Sequence, residues 1–216
     1  MGCSSSSTNE KNCSSNHKKS NEINIIIKVN EKELNKEIFF LDNSDFDIPH
    51  SYLKEMNDTN TELYINDVCH KFQKSFKFEK EGEYTIKLKL KFLIKDCSYM
   101  FYECNNIIKI DLSNFDTNET TNMLSMFENC SNLVDINLAN FDTSKTTNMY
   151  AMIEKCTNLV NINLTNFDTS ETTNMGNMFA YCINLINLDL SSFDTSKTIK
   201  MSNMFLDCSN LVNINL

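Results

Sequence analysis

The sequence predicts an α/β repeat protein: a leucine-rich-repeat solenoid with a parallel β-ladder and short helices, preceded by a small antiparallel β-domain acting as its N-terminal cap. Three observations lead there. Residues 96–216 repeat with a period of 26, and a fixed period of 20–50 residues marks stacked units rather than one globular core. Within each period a leucine-rich strand text is followed by apolar residues spaced like one face of a helix. Residues 21–95 instead alternate apolar and polar positions, the period of a half-buried strand.

Composition narrows the function before any motif is read. The 216 residues carry 20 basic and 29 acidic side chains, a net charge of −9, with no arginine and no tryptophan. Phosphate contacts and guanine readout lean on basic side chains, so nucleic acid is not an expected partner. Three glycines and one proline exclude glycine-rich phosphate loops and Pro-rich linkers. No apolar run reaches the roughly 18 residues of a membrane-spanning helix.

Residues 1–20 are polar and rich in serine, and read as a disordered tail. They open Met-Gly-Cys-Ser-Ser-Ser, which fits the myristoylation pattern with Gly2 as acceptor and Ser6 at the small hydroxyl position. One myristoyl chain anchors only marginally, so a second lipid is expected, and Cys3 is the natural palmitoyl site with Cys13 a weaker one. Lys11, Lys18 and Lys19 add attraction to anionic lipid. Residues 21–95 follow as a small β-rich domain, sandwich or β-grasp. Its strands are placed at Ile23 to Val29, Ile38 to Leu41, Leu63 to Ile65, around Phe72, Phe76 and Phe78, and from Tyr84 to Ile94. Thr85, Lys87, Lys89 and Lys91 leave one side of the last strand wet. Asn66-Asp67 and Glu81-Gly82 are the turn signals, and a short helix is placed around Ser51 to Met56.

Residues 96–216 make about 4.6 units of 26 residues. Phe115, Phe141, Phe167 and Phe193 are each followed by Asp-Thr, and Leu112, Leu138, Leu164, Leu190 and Leu216 keep the same interval. In the unit 133–158, Leu133, Ile136, Leu138 and Phe141 form the strand text. Thr146 and Thr147 precede an expected helix over Met149, Met152, Ile153 and Cys156. Cys104, Cys130, Cys156, Cys182 and Cys208 recur singly, which suits small buried hydrophobes better than disulfides. A unit this small cannot bury its own apolar face, so neighbours must supply stability. The chain stops mid-unit at Leu216, and that uncapped edge is read either as the end of a fragment or as a surface for association with another chain.

These strings, DLSNFDTNETTNMLSMFENCSNL and LDLSSFDTSKTIKMSNMFLDCSNL among them, resemble the BspA-like leucine-rich repeat surface-protein family over about residues 96–216. Thr120, Thr146, Thr172 and Thr198 stand where that family usually carries valine, a β-branched exchange expected to be tolerated. The resemblance implies a curved binding solenoid, often displayed on a cell surface, and no catalytic residues.

Candidate binding residues are those alternating with the buried strand positions on the concave face. They are Asp111, Asp135, Asn137, Asn161, Asn163, Asn187 and Asp189, in rows with Lys109, Asn213 and Asn215. Such rows suit a protein strand or glycan, although stacked Asn can equally satisfy its own neighbours. Asp42, Asp45 and Asp47 miss the calcium-loop spacing. His17, His50 and His70 lack partners at zinc spacing, so neither metal nor cofactor is expected. Sequons such as those at Asn118 and Asn129 are discounted as products of an Asn-rich composition. The expectation is a non-enzymatic binding or scaffold protein on the cytoplasmic face of a membrane, held by Gly2 and Cys3. The alternative is a cell-surface adhesin of the BspA-like type.

Overall fold

A computed structural model describes residues 21–43 and 53–216. Strands β1 (Glu22–Val29), β2 (Glu37–Phe39), β3 (Thr61–Ile65), β4 (Val68–His70), β5 (Ser75–Lys77) and β6 (Gly82–Leu90) come first. β7 (Ile107–Asp111), β8 (Asp135–Asn137), β9 (Asn187–Asp189) and β10 (Asn213–Asn215) lie in the repeats. The only helical elements among the described residues are two 3-10 turns, Glu31–Glu33 and Leu53–Glu55. Six strands form one mixed sheet in the order β4-β3-β6-β1-β7-β8, and β2–β5 and β9–β10 are separate pairs.

The alternation in residues 21–95 builds that sheet. Ile23, Ile25, Ile27 and Val29 of β1 face the core together with Leu63, Ile86 and Leu88, each at most 1% exposed. Burial of such side chains contributes about 1.5–3 kcal/mol apiece, which is why the alternation decides the register. Asn66 and Asp67 have φ of 47° and 62°, the left-handed pair a two-residue hairpin requires, and they join β3 to β4. β4 itself has no apolar alternation and was not expected. β6 ends at Leu90, short of the expected Ile94, because the chain there leaves the sheet for the first repeat. The Ile94 carbonyl accepts from Thr120 Oγ1 at 2.8 Å and the Lys95 carbonyl from the Thr121 N–H at 2.8 Å. The helix expected over Ser51 to Met56 lies partly outside the described residues, and Leu53–Glu55 is a 3-10 turn.

The expected fold class is overturned. The chain is nearly all β with mixed sheets and no α-helix among the described residues, so it is not an α/β leucine-rich-repeat solenoid. The N-terminal segment joins the repeats edge to edge, since β1 pairs antiparallel with β6 on one side and with β7 of the first repeat on the other. The expected five-strand parallel ladder is likewise broken. β7 pairs with β8 and β9 with β10, and Asn161 bridges Asn187, but nothing pairs Asp135–Asn137 with residues 161–163.

The missing helix has a clear cause at residues 149–156. The N–H groups of Met149, Ala151, Ile153 and Lys155 donate to the carbonyls of Asn174, Gly176, Met178 and Ala180, at 2.8–3.0 Å. The intervening N–H groups of Met152, Glu154 and Cys156 donate three residues back, at 3.1–3.3 Å. Ala151 and Lys155 adopt φ of 54° and 59°, a left-handed conformation that ends a right-handed helix. Two tight turns in succession return Met149, Met152, Ile153 and Cys156 to the core with the spacing of a helical face. Periodicity alone could not tell these arrangements apart.

Hydrogen bonds one period apart hold the repeats. Asp96, Asn122, Asn148, Asn174 and Lys200 form a continuous run of parallel bridges. Buried Thr120, Thr146 and Thr172 donate through Oγ1 to the carbonyls of Ile94, Thr120 and Thr146, at 2.8–3.1 Å. The threonines of the first three Phe-Asp-Thr triplets, Thr117, Thr143 and Thr169, each clasp the next aspartate's backbone. Thr143 Oγ1 donates to the Asp168 carbonyl at 2.9 Å and accepts from the Asp168 N–H at 2.8 Å. Phe141 and Phe167 stack with centroids 6.2 Å apart, and Phe167 and Phe193 at 6.5 Å.

Candidate functional site

The outward face of the six-stranded sheet gathers polar side chains from both halves of the chain. Register places Tyr64, Lys87, Asn24, Asp111 and Asn137 in one row across β3, β6, β1, β7 and β8. The parallel row carries Thr85, Ile26, Lys109 and Asp135. Because side chains alternate across a strand, burial of the neighbouring isoleucines and leucines forces these residues outward. All of them except Tyr64 line an open groove of about 460 Å³, with Ile26 as an apolar floor and Asp67 at one rim.

Charges in the groove are paired across strands. Lys109 Nζ lies 3.0 Å from Asp135, Lys87 Nζ lies 3.4 Å from Asp67, and Asn137 Nδ2 donates to Asp111 Oδ1 at 3.0 Å. Such exposed pairs contribute little to stability, so a ligand can exchange them for its own charges at small cost. The groove therefore offers two ammonium groups and three carboxylates around an apolar floor. That arrangement can hold a polar ligand but has no paired nucleophile and base.

Of the seven predicted residues, the structure brings Asp111, Asp135 and Asn137 together here. Asn161, Asn187 and Asp189 line a second, shallower groove of about 270 Å³ beside β9 and β10. Within it, Asn213 Nδ2 donates to Asn187 Oδ1 at 2.8 Å and Asn215 Nδ2 to Asp189 Oδ1 at 3.0 Å. The Asp189 carboxyl is held below its usual range by the Ser191 side chain and N–H and by Asn215. Asn163 lines neither groove; its Oδ1 accepts from the Thr165 N–H and hydroxyl, closing a local turn. Asn24, Thr85 and Lys87 were missed as site residues. The wet face of Thr85 and Lys87 was legible, but the pairing of β1 with β7, which carries them to the repeats, was not.

The cysteine row is core. Cys104, Cys130, Cys156 and Cys182 are buried free thiols. Cys130, Cys156 and Cys182 donate through Sγ to the carbonyls of Phe101, Phe127 and Ile153, at 3.0–3.1 Å. Burial pushes these thiols well above their ordinary range, and Cys97 up to about 12, which makes poor nucleophiles and metal ligands of them. Among the described residues no three His, Cys, Asp or Glu side chains converge to hold a metal. No described helix is long and apolar enough to cross a membrane. Gly2, Cys3, Cys13, His17, Asp45, Asp47 and His50 lie outside the described residues, while Asp42 pairs with Lys74 at 3.0 Å.

Residues 95–215 match a family model described as Mycoplasma protein of unknown function, DUF285. The chain belongs to this family. The DUF285 match covers the same repeats that resembled BspA-like leucine-rich repeat proteins, and it overturns that assignment. No curated protein and no solved structure matches the chain. The DUF285 stretch contributes β7 and β8 to the groove, and the segment before it contributes β1, β6 and Asp67 of the β3–β4 turn.

Proposed function

We propose that this protein is a non-enzymatic binding module tethered at a membrane, and that its protein or glycan ligand lies on the polar face of the six-stranded sheet. The observation that carries the reading is the groove itself. Lys87, Lys109, Asp111, Asp135 and Asn137 converge on it from both halves of the chain, as a recognition surface built on rigid strands should. The tether rests on Gly2 and Cys3, whose sequence context fits dual acylation on the cytoplasmic side. The adhesin alternative drew its support from the BspA-like resemblance and is not carried forward.

The test uses the full chain on immobilised vesicles. Lys87→Glu with Lys109→Glu should lose the ligands that the parent retains, whereas Glu119→Lys, remote from the groove, should keep them. Equal retention by all three proteins defeats the proposed face. For the tether, Gly2→Ala should move the protein from the membrane to the soluble fraction; a Gly2→Ala protein that pellets like the parent removes the lipid anchor.

A further inference from the structure

A second surface lies along the turns of the repeats, away from the polar groove. Tyr99, Glu128, Tyr150 and Glu154 come from three successive units and face the same side. Glu154 is 7% exposed, and the Glu128 side chain 16%. Both share one ammonium, since Lys155 Nζ lies 3.3 Å from Glu154 and 3.7 Å from Glu128. Ser125 Oγ donates to Glu128 at 2.7 Å, and Asn177 Nδ2 donates to Glu154 at 3.1 Å. Two half-desolvated carboxylates thus face a single cation.

The aromatic rings around them are held in place. A Cβ at Gly176 would stand 3.1 Å from the Tyr150 ring, so the glycine leaves room for that ring on the next unit. Asn177 Nδ2 donates to the Tyr150 hydroxyl at 3.1 Å. Tyr99 and Tyr102 meet edge to face at 5.5 Å. Fixed tyrosines supply contact area at small entropic cost and attract cations over their faces. Burial also raises the Glu128 carboxyl above its usual range, with Glu154 adding to the shift against Ser125 and Lys155. The two carboxylates exceed their one ammonium by a single negative charge.

We propose that this tyrosine–glutamate surface docks an extended, lysine- or arginine-bearing segment of a partner protein. Charge complementarity selects the occupant, and length selects a segment over a small amine. From Tyr99 to Asn177 the surface crosses three unit steps of about 4.8 Å, roughly 14 Å, the reach of about four extended residues.

Fluorescein-labelled hexalysine, titrated into the full chain and followed by anisotropy, tests this. Glu128→Gln with Glu154→Gln should weaken binding at least tenfold. Glu119→Gln with Glu171→Gln makes the same change in net charge and should weaken it less than twofold. Tyr150→Leu should weaken it severalfold in a protein that still folds, its urea midpoint lowered by at most about 0.5 M for the lost Asn177 hydrogen bond. If the Glu128/Glu154 double variant does not fold, Glu128→Gln alone should still weaken binding at least threefold. Equal losses in both double variants, or no loss at Glu128, would overturn the site. Spermidine binding as tightly as hexalysine would overturn the assignment to a protein segment.

Discussion

Replacing Thr172 by valine removes one hydroxyl from the interior and nothing else of comparable size. In the folded chain that hydroxyl donates to the Thr146 carbonyl at 2.8 Å, and both residues are 0% exposed. A buried carbonyl that loses its donor costs about 1–3 kcal/mol. The added methyl returns somewhat under about 0.8 kcal/mol of transfer energy. Because the Thr146 carbonyl is fully buried, the upper half of that penalty applies, and the expected net loss is about 1–2 kcal/mol, a sizeable share of the roughly 5–15 kcal/mol that stabilises a domain. With a urea m-value near 2 kcal/mol per M, the midpoint should fall by about 0.5–1 M at constant m. Thr120→Val and Thr146→Val should each behave alike, and the triple variant should lose about 3–6 kcal/mol, less any coupling between neighbours. Far-UV circular dichroism against urea makes the measurement. A Thr172→Val protein as stable as the parent would refute the reasoning, and would restore the expectation that valine is tolerated there.

Three further outcomes follow from the same geometry. Under native conditions, among the described cysteines, a polar thiol reagent should label exposed Cys69 fastest, half-buried Cys208 more slowly, and Cys97, Cys104, Cys130, Cys156 and Cys182 only on unfolding; mass spectrometry after timed labelling reads the order. Asp168 and Asp194 are held below the usual carboxylate range, Asp168 by the Ser170 side chain and N–H and Asp194 by the Ser196 N–H and side chain. Their stabilising contribution is complete above the unfolded value near pH 3.9 and is lost as pH falls through the lower folded values, so thermal unfolding scanned by pH should weaken below about pH 4. Glu128, raised by burial, has the opposite sign, and Glu128→Gln should leave that acid loss intact. Deleting residues 133–158, one whole period, should preserve the 26-residue hydrogen-bond register and give a folded protein; deleting thirteen residues from the same place should not, as cooperative urea unfolding will report.

Much of the sheet was legible because its residues sort cleanly into wet and dry. The isoleucines of β1 and the leucines of β6 admit only one face, and Asn66-Asp67 can take the left-handed φ that a tight hairpin needs. The repeats were legible as repeats but not as structure. Met149, Met152, Ile153 and Cys156 have helical spacing, yet nothing in their identity announces that Ala151 and Lys155 are left-handed. That conformation is stabilised by carbonyls 25 residues away, which no local window contains. The same holds for the site. Asp111, Asp135 and Asn137 could be placed on a strand face from their alternation, whereas Lys87 and Asn24 reach them only through the antiparallel pairing of β1 with β7.

The claim on which the rest depends is that backbone hydrogen bonds in the repeats run between units and not along helices. Scalar coupling across hydrogen bonds, measured by NMR on labelled protein, reads this directly. The Ala151 amide nitrogen should couple to the Gly176 carbonyl, and Ile153 to Met178. Coupling of Ile153 to the Met149 carbonyl, four residues back, would mean an α-helix and would contradict the account.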